Sequence, residues 1–217
     1  RVLLVEDQPM NLELATDLLQ RAGLIVVAAH DGQQALHLLE QDAQFDGVLM
    51  DCQMPVMDGY EAAQRIRSSE RWRHLPIIAM TASAMAADRE RVLASGMDDH
   101  ITKPLDLMQM FTIMARWITP RHRTALPDAE DSHADALPRT LTLDTADGLN
   151  RCMGNLDLYR RLLKGFAKTQ AKVGDELEAA TTGAQWPQVN SLAHSLKGLS
   201  GNIGAQAEIC HPGACGK

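Results

Sequence analysis

The chain has 217 residues, 45% of them hydrophobic, and a formal net charge of −7. That length and apolar content suit one large or two small globular domains, while the outnumbered, scattered Lys and Arg exclude a basic nucleic-acid footprint. The longest apolar stretch, around Ile77 to Ala87, is broken by Thr81 and Ser83 and falls short of the roughly 18 residues of a membrane span.

No signal-peptide pattern opens the chain. Cys52, Cys152, Cys210 and Cys215 lack framework spacing, which predicts reduced thiols and a cytoplasmic location. The start at Arg1, already close to an apolar run, reads as a fragment of a longer protein.

Taken in order, Val2 to Val5 predicts a strand, Met10 to Ala22 a helix, Leu24 to Ala28 a strand, Gly32 to Gln41 a helix and Gly47 to Met50 a strand. The rhythm continues with a helix over Gly59 to Ser68, a strand over Ile77 to Met80, a helix over Ala86 to Ser95, a short strand over His100 to Thr102 and a helix over Leu105 to Ile118. Pro9 and Pro104 stand where helices should begin, and Gly23 and Gly96 where they should stop. Five βα units over residues 1–118 predict an α/β domain with a parallel sheet. Residues 119–140, with Pro120, Pro127 and Pro138, have linker composition, and about 20 residues of flexible chain span about 25 Å.

Residues 141–217 read as all-helical. Asp144 should cap a short helix ending near Gly154, and Asn155 a long one carrying Leu158, Leu162, Phe166, Val173 and Leu177. A third helix should start at Pro187, its apolar face formed by Val189, Leu192, Ala193, Leu196, Leu199 and Ile203. Asn190, His194, Lys197, Gly198 and Gly201 fall on the opposite face. Each helical Gly costs about 1 kcal/mol relative to Ala, so glycines around His194 predict close approach by another surface.

Chemistry concentrates at the strand ends. Glu6-Asp7 ends the first strand, Asp51 the third and Thr81 the fourth, while Lys103 follows the fifth. A lone carboxylate in such a place is ordinarily a helix cap or a solvated loop residue. In a parallel sheet, however, ligands bind outside the carboxyl ends of the strands, so these positions should converge on one crevice, with Asp51 displayed rather than buried.

Residues 1–118 resemble the receiver domain of two-component response regulators, through Glu6-Asp7, the Met-Asp-x-x-Met-Pro-x-Met-Asp-Gly run around Asp51, Thr81-Ala82 and Lys103-Pro104. Residues from about 141 to 205 resemble a histidine phosphotransfer domain, through Ala193-His194-Ser195-Leu196-Lys197-Gly198 and Gly201-Asn202-Ile203-Gly204-Ala205. Together they resemble the C-terminal part of a hybrid sensor histidine kinase, whose sensor and ATP-binding parts would lie upstream.

The resemblance implies a flavodoxin-like doubly wound sheet of order 2-1-3-4-5. It implies Mg²⁺ bound by Asp7, Asp51 and the backbone carbonyl of Gln53, with Glu6 acting through water, and oxygen ligands suit that hard cation. Asp51 would accept the phosphoryl group, Lys103 and Thr81 would meet its oxygens, and His194 would be a second acceptor with Lys197 offsetting its charge. A switch would run through Thr81 to His100, although a surface-facing His100 ring is the plainer expectation. The implied partners are a histidine kinase domain of the same parent, membrane-anchored in the family pattern, and a downstream receiver, with no nucleic acid and no membrane contact by this part.

The last residues depart from the pattern. Ile209 to Lys217 contains Pro212, Gly213 and Gly216, so the bundle is expected to be incomplete, three-helical and partly exposed. Cys210, His211 and Cys215 do not make a closed tetrahedral metal site. A haloacid-dehalogenase-type phosphatase would need an acid two residues after the nucleophile, where Gln53 stands. The remaining alternative is an interaction module whose receiver docks partners while the bundle no longer relays.

Overall fold

In the computed structural model, β1 (Val2–Val5), β3 (Gly47–Asp51) and β4 (Ile77–Thr81) are buried along their whole length, as continuous apolar strands covered on both faces by helices must be. They pair in parallel with β2 (Val26–Ala29) and β5 (Asp99–Thr102) in the order β2-β1-β3-β4-β5. Five helices cover this sheet: α1 (Pro9–Arg21), α2 (Gly32–Gln41), α3 (Gly59–Ser68), α4 (Ala86–Ala94) and α5 (Leu107–Trp117). The structure describes residues 1–42, 44–82, 86–118 and 143–205, and the chain divides into two compact units, residues 1–131 and 132–217. Among the described residues no helix is long and apolar enough to cross a membrane.

Local chemistry sets the helix boundaries of the first unit. Asp31, Asp58 and Asp106 each accept a backbone N–H from the first turn of the helix they precede, at 2.7, 2.8 and 2.8 Å. Pro9 opens α1, and Gly23 and Gly96 follow α1 and α4 with φ of +82° and +89°. Pro104 does not open a helix. It follows a cis peptide bond in the turn after β5, and α5 starts at Leu107 because Asp106 caps it. Strand β2 starts two residues later than its apolar pattern suggests, since pairing with β1 matches Val2 to Val26.

Arg67 braces the far end of the sheet. Its guanidinium donates to the carbonyls of Gly96 and Leu75 at 2.7 and 2.8 Å and to Asp98 Oδ2 at 2.7 Å, while Asp98 also accepts the Ile77 N–H.

The second unit contains α6 (Thr145–Arg151), α7 (Leu156–Thr169), α8 (Val173–Thr182) and α9 (Trp186–Asn202). The long helix expected from Asn155 through Leu177 is two helices. The Thr169 hydroxyl turns back onto the Gly165 carbonyl, and Asp175 and Glu176 populate the first turn of a new helix, where negative charge is favoured. The described residues of this unit therefore hold four helices rather than three. Their interior contains Cys152, Leu158, Tyr159, Leu162, Ala180, Leu199 and Ile203, while Phe166, Leu177, Val189, Leu192 and Leu196 are only half-buried. The Tyr159 hydroxyl donates to the Ile203 carbonyl at 2.9 Å, and Leu143 bridges Ala205, so the end of α9 is tied to α6 and α7. Residues 119–140 and the Cys210, His211 and Cys215 group lie outside the described residues.

Gly59 is the closest joint in the first unit, because a Cβ there would come within 2.0 Å of the Asp51 carbonyl oxygen. Helix α3 is thereby pressed onto the end of β3, and Gly59 N–H donates to the Cys52 carbonyl at 3.2 Å. Gly59→Ala is expected to destabilise the unit by about 3 kcal/mol, read as a lower urea midpoint with an unchanged slope.

Candidate functional site

Register brings the polar strand ends together. Val5 is matched to Met50, Asp51 to Met80 and Thr81 to Thr102, so Glu6, Asp51, Thr81 and Lys103 all emerge at one edge of the sheet. Lys103 is the link between them. Its Nζ donates to Glu6 Oε2 at 2.6 Å and to Asp51 Oδ2 at 2.7 Å, and its backbone N–H donates to the Thr81 carbonyl at 2.6 Å. The remaining Asp51 oxygen, Oδ1, accepts the Gln53 N–H at 3.2 Å.

Asp51 is not displayed at the strand end: it is 2% exposed, beside Glu6 at 1% and Lys103 at 7%. Both of its oxygens are covered by neighbours that one strand's pattern does not reveal. Asp7 is half-buried, and Gln8 Nε2 donates to it at 3.1 Å. One carboxylate oxygen each of Glu6, Asp7 and Asp51 lies within 4.8 Å of the other two, a group that could hold a metal ion. Thr81 is also buried, while Gln53 is exposed.

Crowding and burial show in the protonation energetics. Burial pushes the Glu6 carboxyl up to about 7, with Lys103 pulling the other way and Asp51 adding to the rise. Burial, then the neighbouring Asp51, raises Asp7. For Lys103, burial works against the charge, but Glu6 and Asp51 outweigh it and hold the ammonium above its ordinary range. Burial also pushes the Cys52 thiol up to about 12, which makes it inert despite its place next to Asp51.

Two participants escape a reading of strand ends. Asn11 Nδ2 donates to Glu6 Oε1 at 2.8 Å, and the Gln8 N–H reaches the same oxygen at 3.3 Å. Asn11 shares the buried stripe of α1 with Leu14, Ala15 and Leu18, so a polar residue on an apolar face was the available signal.

Other expected positions stand apart from this group. Asp58 caps α3 through the Glu61 N–H. The His100 ring is not surface-facing: its side chain is 20% exposed, with Nδ1 at 3.8 Å from Asp99 Oδ1. Its neighbour Asp99 is bonded in turn by Arg116 and Trp117 of α5. In the second unit His194 is half-buried on α9 and Lys197 exposed. Gly198 is buried rather than on an open face, so it does not offer the gap expected beside His194.

The model of the response regulator receiver domain matches residues 2–115. The chain is 37% identical over 204 residues to the sensor protein GacS of Pseudomonas syringae pv. syringae, covering 93% of this chain and 22% of that protein. It thus spans about a fifth of the length of the curated relatives it matches. Among solved structures it is similar to the receiver domain of a sensor histidine kinase from Pseudomonas aeruginosa, which has a magnesium ion coordinated in its active-site cleft. That likeness has a TM-score of 0.50 and 42% identity, covering 54% of this chain and 94% of that one. It is also similar to the co-crystal structure of the Saccharomyces cerevisiae histidine phosphotransfer protein Ypd1 with the receiver domain of its downstream response regulator Ssk1, at TM-score 0.50 and 30% identity, covering 54% and 86%.

A carboxyl raised on folding holds protons that the unfolded chain has already released, so its contribution to stability falls as pH rises from about 4.5 to about 7 for Glu6. In chelator-treated buffer, the first unit is expected to lose about 2–3 kcal/mol of stability across that window. Urea titrations at either end would measure this. Glu6→Gln should flatten the difference, and a parent midpoint that rises with pH would mean that Glu6 stays ionised throughout.

Proposed function

Because the chain belongs to the response regulator receiver family through residues 2–115, we propose that it is a phosphorelay module in which Asp51 accepts a phosphoryl group and residues 141–217 act as a histidine phosphotransfer domain. The observation that carries this reading is the buried ammonium of Lys103 between Asp51 and Glu6, with Asp7 alongside. With Glu6 ionised, three carboxylates against one ammonium leave two negative charges for a divalent cation to balance. Hard oxygen donors suit Mg²⁺, and Glu6, Asp7, Asp51 and the Gln53 carbonyl are the groups that would hold it. When bound, Mg²⁺ supplies positive charge to the phosphoryl oxygens.

The chain's own residues do the rest. An Asp51 oxygen attacks phosphorus in line and forms an acyl phosphate while the donor's leaving group departs. Lys103 exchanges its contact with Asp51 for a phosphoryl oxygen, and the Thr81 hydroxyl binds another. His194 exchanges the group with a receiver through its imidazole, with Lys197 one turn along α9 offsetting the charge. The GacS alignment covers 93% of the chain and so runs beyond the receiver match, which supports treating both units as one conserved arrangement.

On this reading residues 1–118 are the receiver, 119–140 the linker and 141–217 the phosphotransfer domain. The parent is a hybrid histidine kinase anchored in the membrane, with this part on the cytoplasmic side. Its partners are that parent's kinase domain and a downstream receiver.

Incubation with labelled acetyl phosphate and Mg²⁺ tests the assignment. Asp51→Asn is expected to lower acyl-phosphate labelling by on the order of 100-fold or more, and Lys103→Ala to slow it by on the order of 100-fold. His194→Gln should leave the Asp51 label intact and remove phosphohistidine. Undiminished label on Asp51→Asn would overturn the assignment and turn attention to Asp58. Label that stays on Asp51 in the presence of His194, in this chain and in trans, would favour a docking module over a relay.

A further inference from the structure

The hydrogen-bond chain at the site does not end at Glu6. Asn11, 3% exposed on α1, donates through Nδ2 to Glu6 Oε1 at 2.8 Å. That oxygen also takes the Gln8 N–H, at 3.3 Å. Oε2 is thereby left for Lys103 at 2.6 Å, and the same ammonium reaches Asp51 Oδ2 at 2.7 Å. Four side chains from α1, the end of β1, the end of β3 and the residue after β5 form one continuous buried relay.

We propose that Asn11 is a positioning residue for phosphoryl transfer at Asp51, fixing Glu6 as the pivot on which Lys103 turns from the carboxylate to the incoming phosphoryl oxygen. This rests on the reading of Asp51 as the phosphoacceptor. In the resting site Lys103 is shared by two carboxylates. During transfer an O–P bond forms at Asp51, the P–O bond to the acyl oxygen of acetyl phosphate breaks, and acetate leaves with the electron pair. Lys103 must then release Asp51 while keeping one anchor, and Glu6 Oε2 is the only other acceptor the structure gives its ammonium among the described residues.

The amide is the side chain this task requires. Nδ2 donates without carrying charge, so it holds one Glu6 oxygen without competing with Lys103 or cancelling the negative charge that a cation would meet. A carboxylate at position 11 would repel Glu6, and an aliphatic residue would leave buried Oε1 with less than its hydrogen-bond complement. Glutamate has three freely rotating side-chain torsions, and commitment of both oxygens selects one arrangement of them.

The test uses the full chain, acetyl phosphate and saturating Mg²⁺, with the maximal labelling rate as readout and far-UV circular dichroism as a check on folding. Asn11→Ala is expected to slow labelling about 10-fold, the lower range for loss of a supporting partner at a metal site. Asn11→Asp, nearly the same shape, should slow it further. In a Glu6→Ala background the same Asn11→Ala change should alter the rate by less than about twofold, because the side chain it holds is gone. Equal losses in both backgrounds would mark Asn11 as merely structural and overturn the proposal, as would a rate within about twofold of the parent. Should Asn11→Ala fail to fold, Asn11→Asp carries the same comparison. An unlabelled parent would overturn the phosphoacceptor reading and this assignment with it, whereas a labelled parent indifferent to position 11 overturns this assignment alone.

Discussion

One ammonium shared by two carboxylates, in a place almost closed to water, is the constraint around which the first unit is built. Lys103 lies 2.6 Å from Glu6 and 2.7 Å from Asp51, and all three are nearly inaccessible. Buried charges cost several kcal/mol each unless paired with good geometry, so loss of Lys103 would strand two acids already crowded by Asp7. The same contact joins the ends of β1 and β3 to the residue after β5, which makes the electrostatics of the site and the closure of the sheet edge one problem.

Sheet order solves that problem. Strands β1 and β3 are neighbours although α1, β2 and α2 lie between them in sequence, and the match of Val5 to Met50 carries Glu6 to the level of Asp51. A slip of one residue in any strand would turn its side chains to the other face, removing a carboxylate or the ammonium from the group. The buried run Val2–Val5 resists the slip, since it is bounded by the charged Arg1 and Glu6. Packing on both faces of the sheet thus sets the geometry of groups at its edge.

Alternating apolar runs and helical periods made the five βα units legible in the sequence, as did the clustering of Glu6, Asp7, Asp51, Thr81 and Lys103 at strand ends. The burial of Asp51 was not legible, because Lys103 and Gln53 cover it through tertiary placement and a local turn that no single strand pattern encodes. Asn11 carried a signal, a polar residue on an otherwise apolar stripe, but no local pattern says that Glu6 is its partner. The break between α7 and α8 was missed for a different reason: Leu158, Leu162, Phe166, Val173 and Leu177 suggest one continuous helix, and the acidic first turn of α8 is the only local sign of a restart. Pro104 misled in the opposite direction, since an Asp two residues later provides the actual cap.

The second unit distributes its packing unevenly along α9. At the C-terminal end Leu199 and Ile203 are buried, the Ile203 carbonyl accepts the Tyr159 hydroxyl, and Gly204 admits the Asp144 carbonyl where a Cβ would come within 2.2 Å. At the N-terminal end Trp186 is 60% exposed, Val189 and Leu192 are half-buried, and no side chain caps the helix. His194 falls between these regimes. Packing tightens from the exposed start of α9 to its buried end, with His194, Ser195 and Leu196 half-buried and Gly198, Leu199 and Ser200 buried just beyond. On the proposed function this divides the labour: the buried, charge-balanced site at Asp51 performs the transfer chemistry, and α9 has only to hold an imidazole where such a site can reach it.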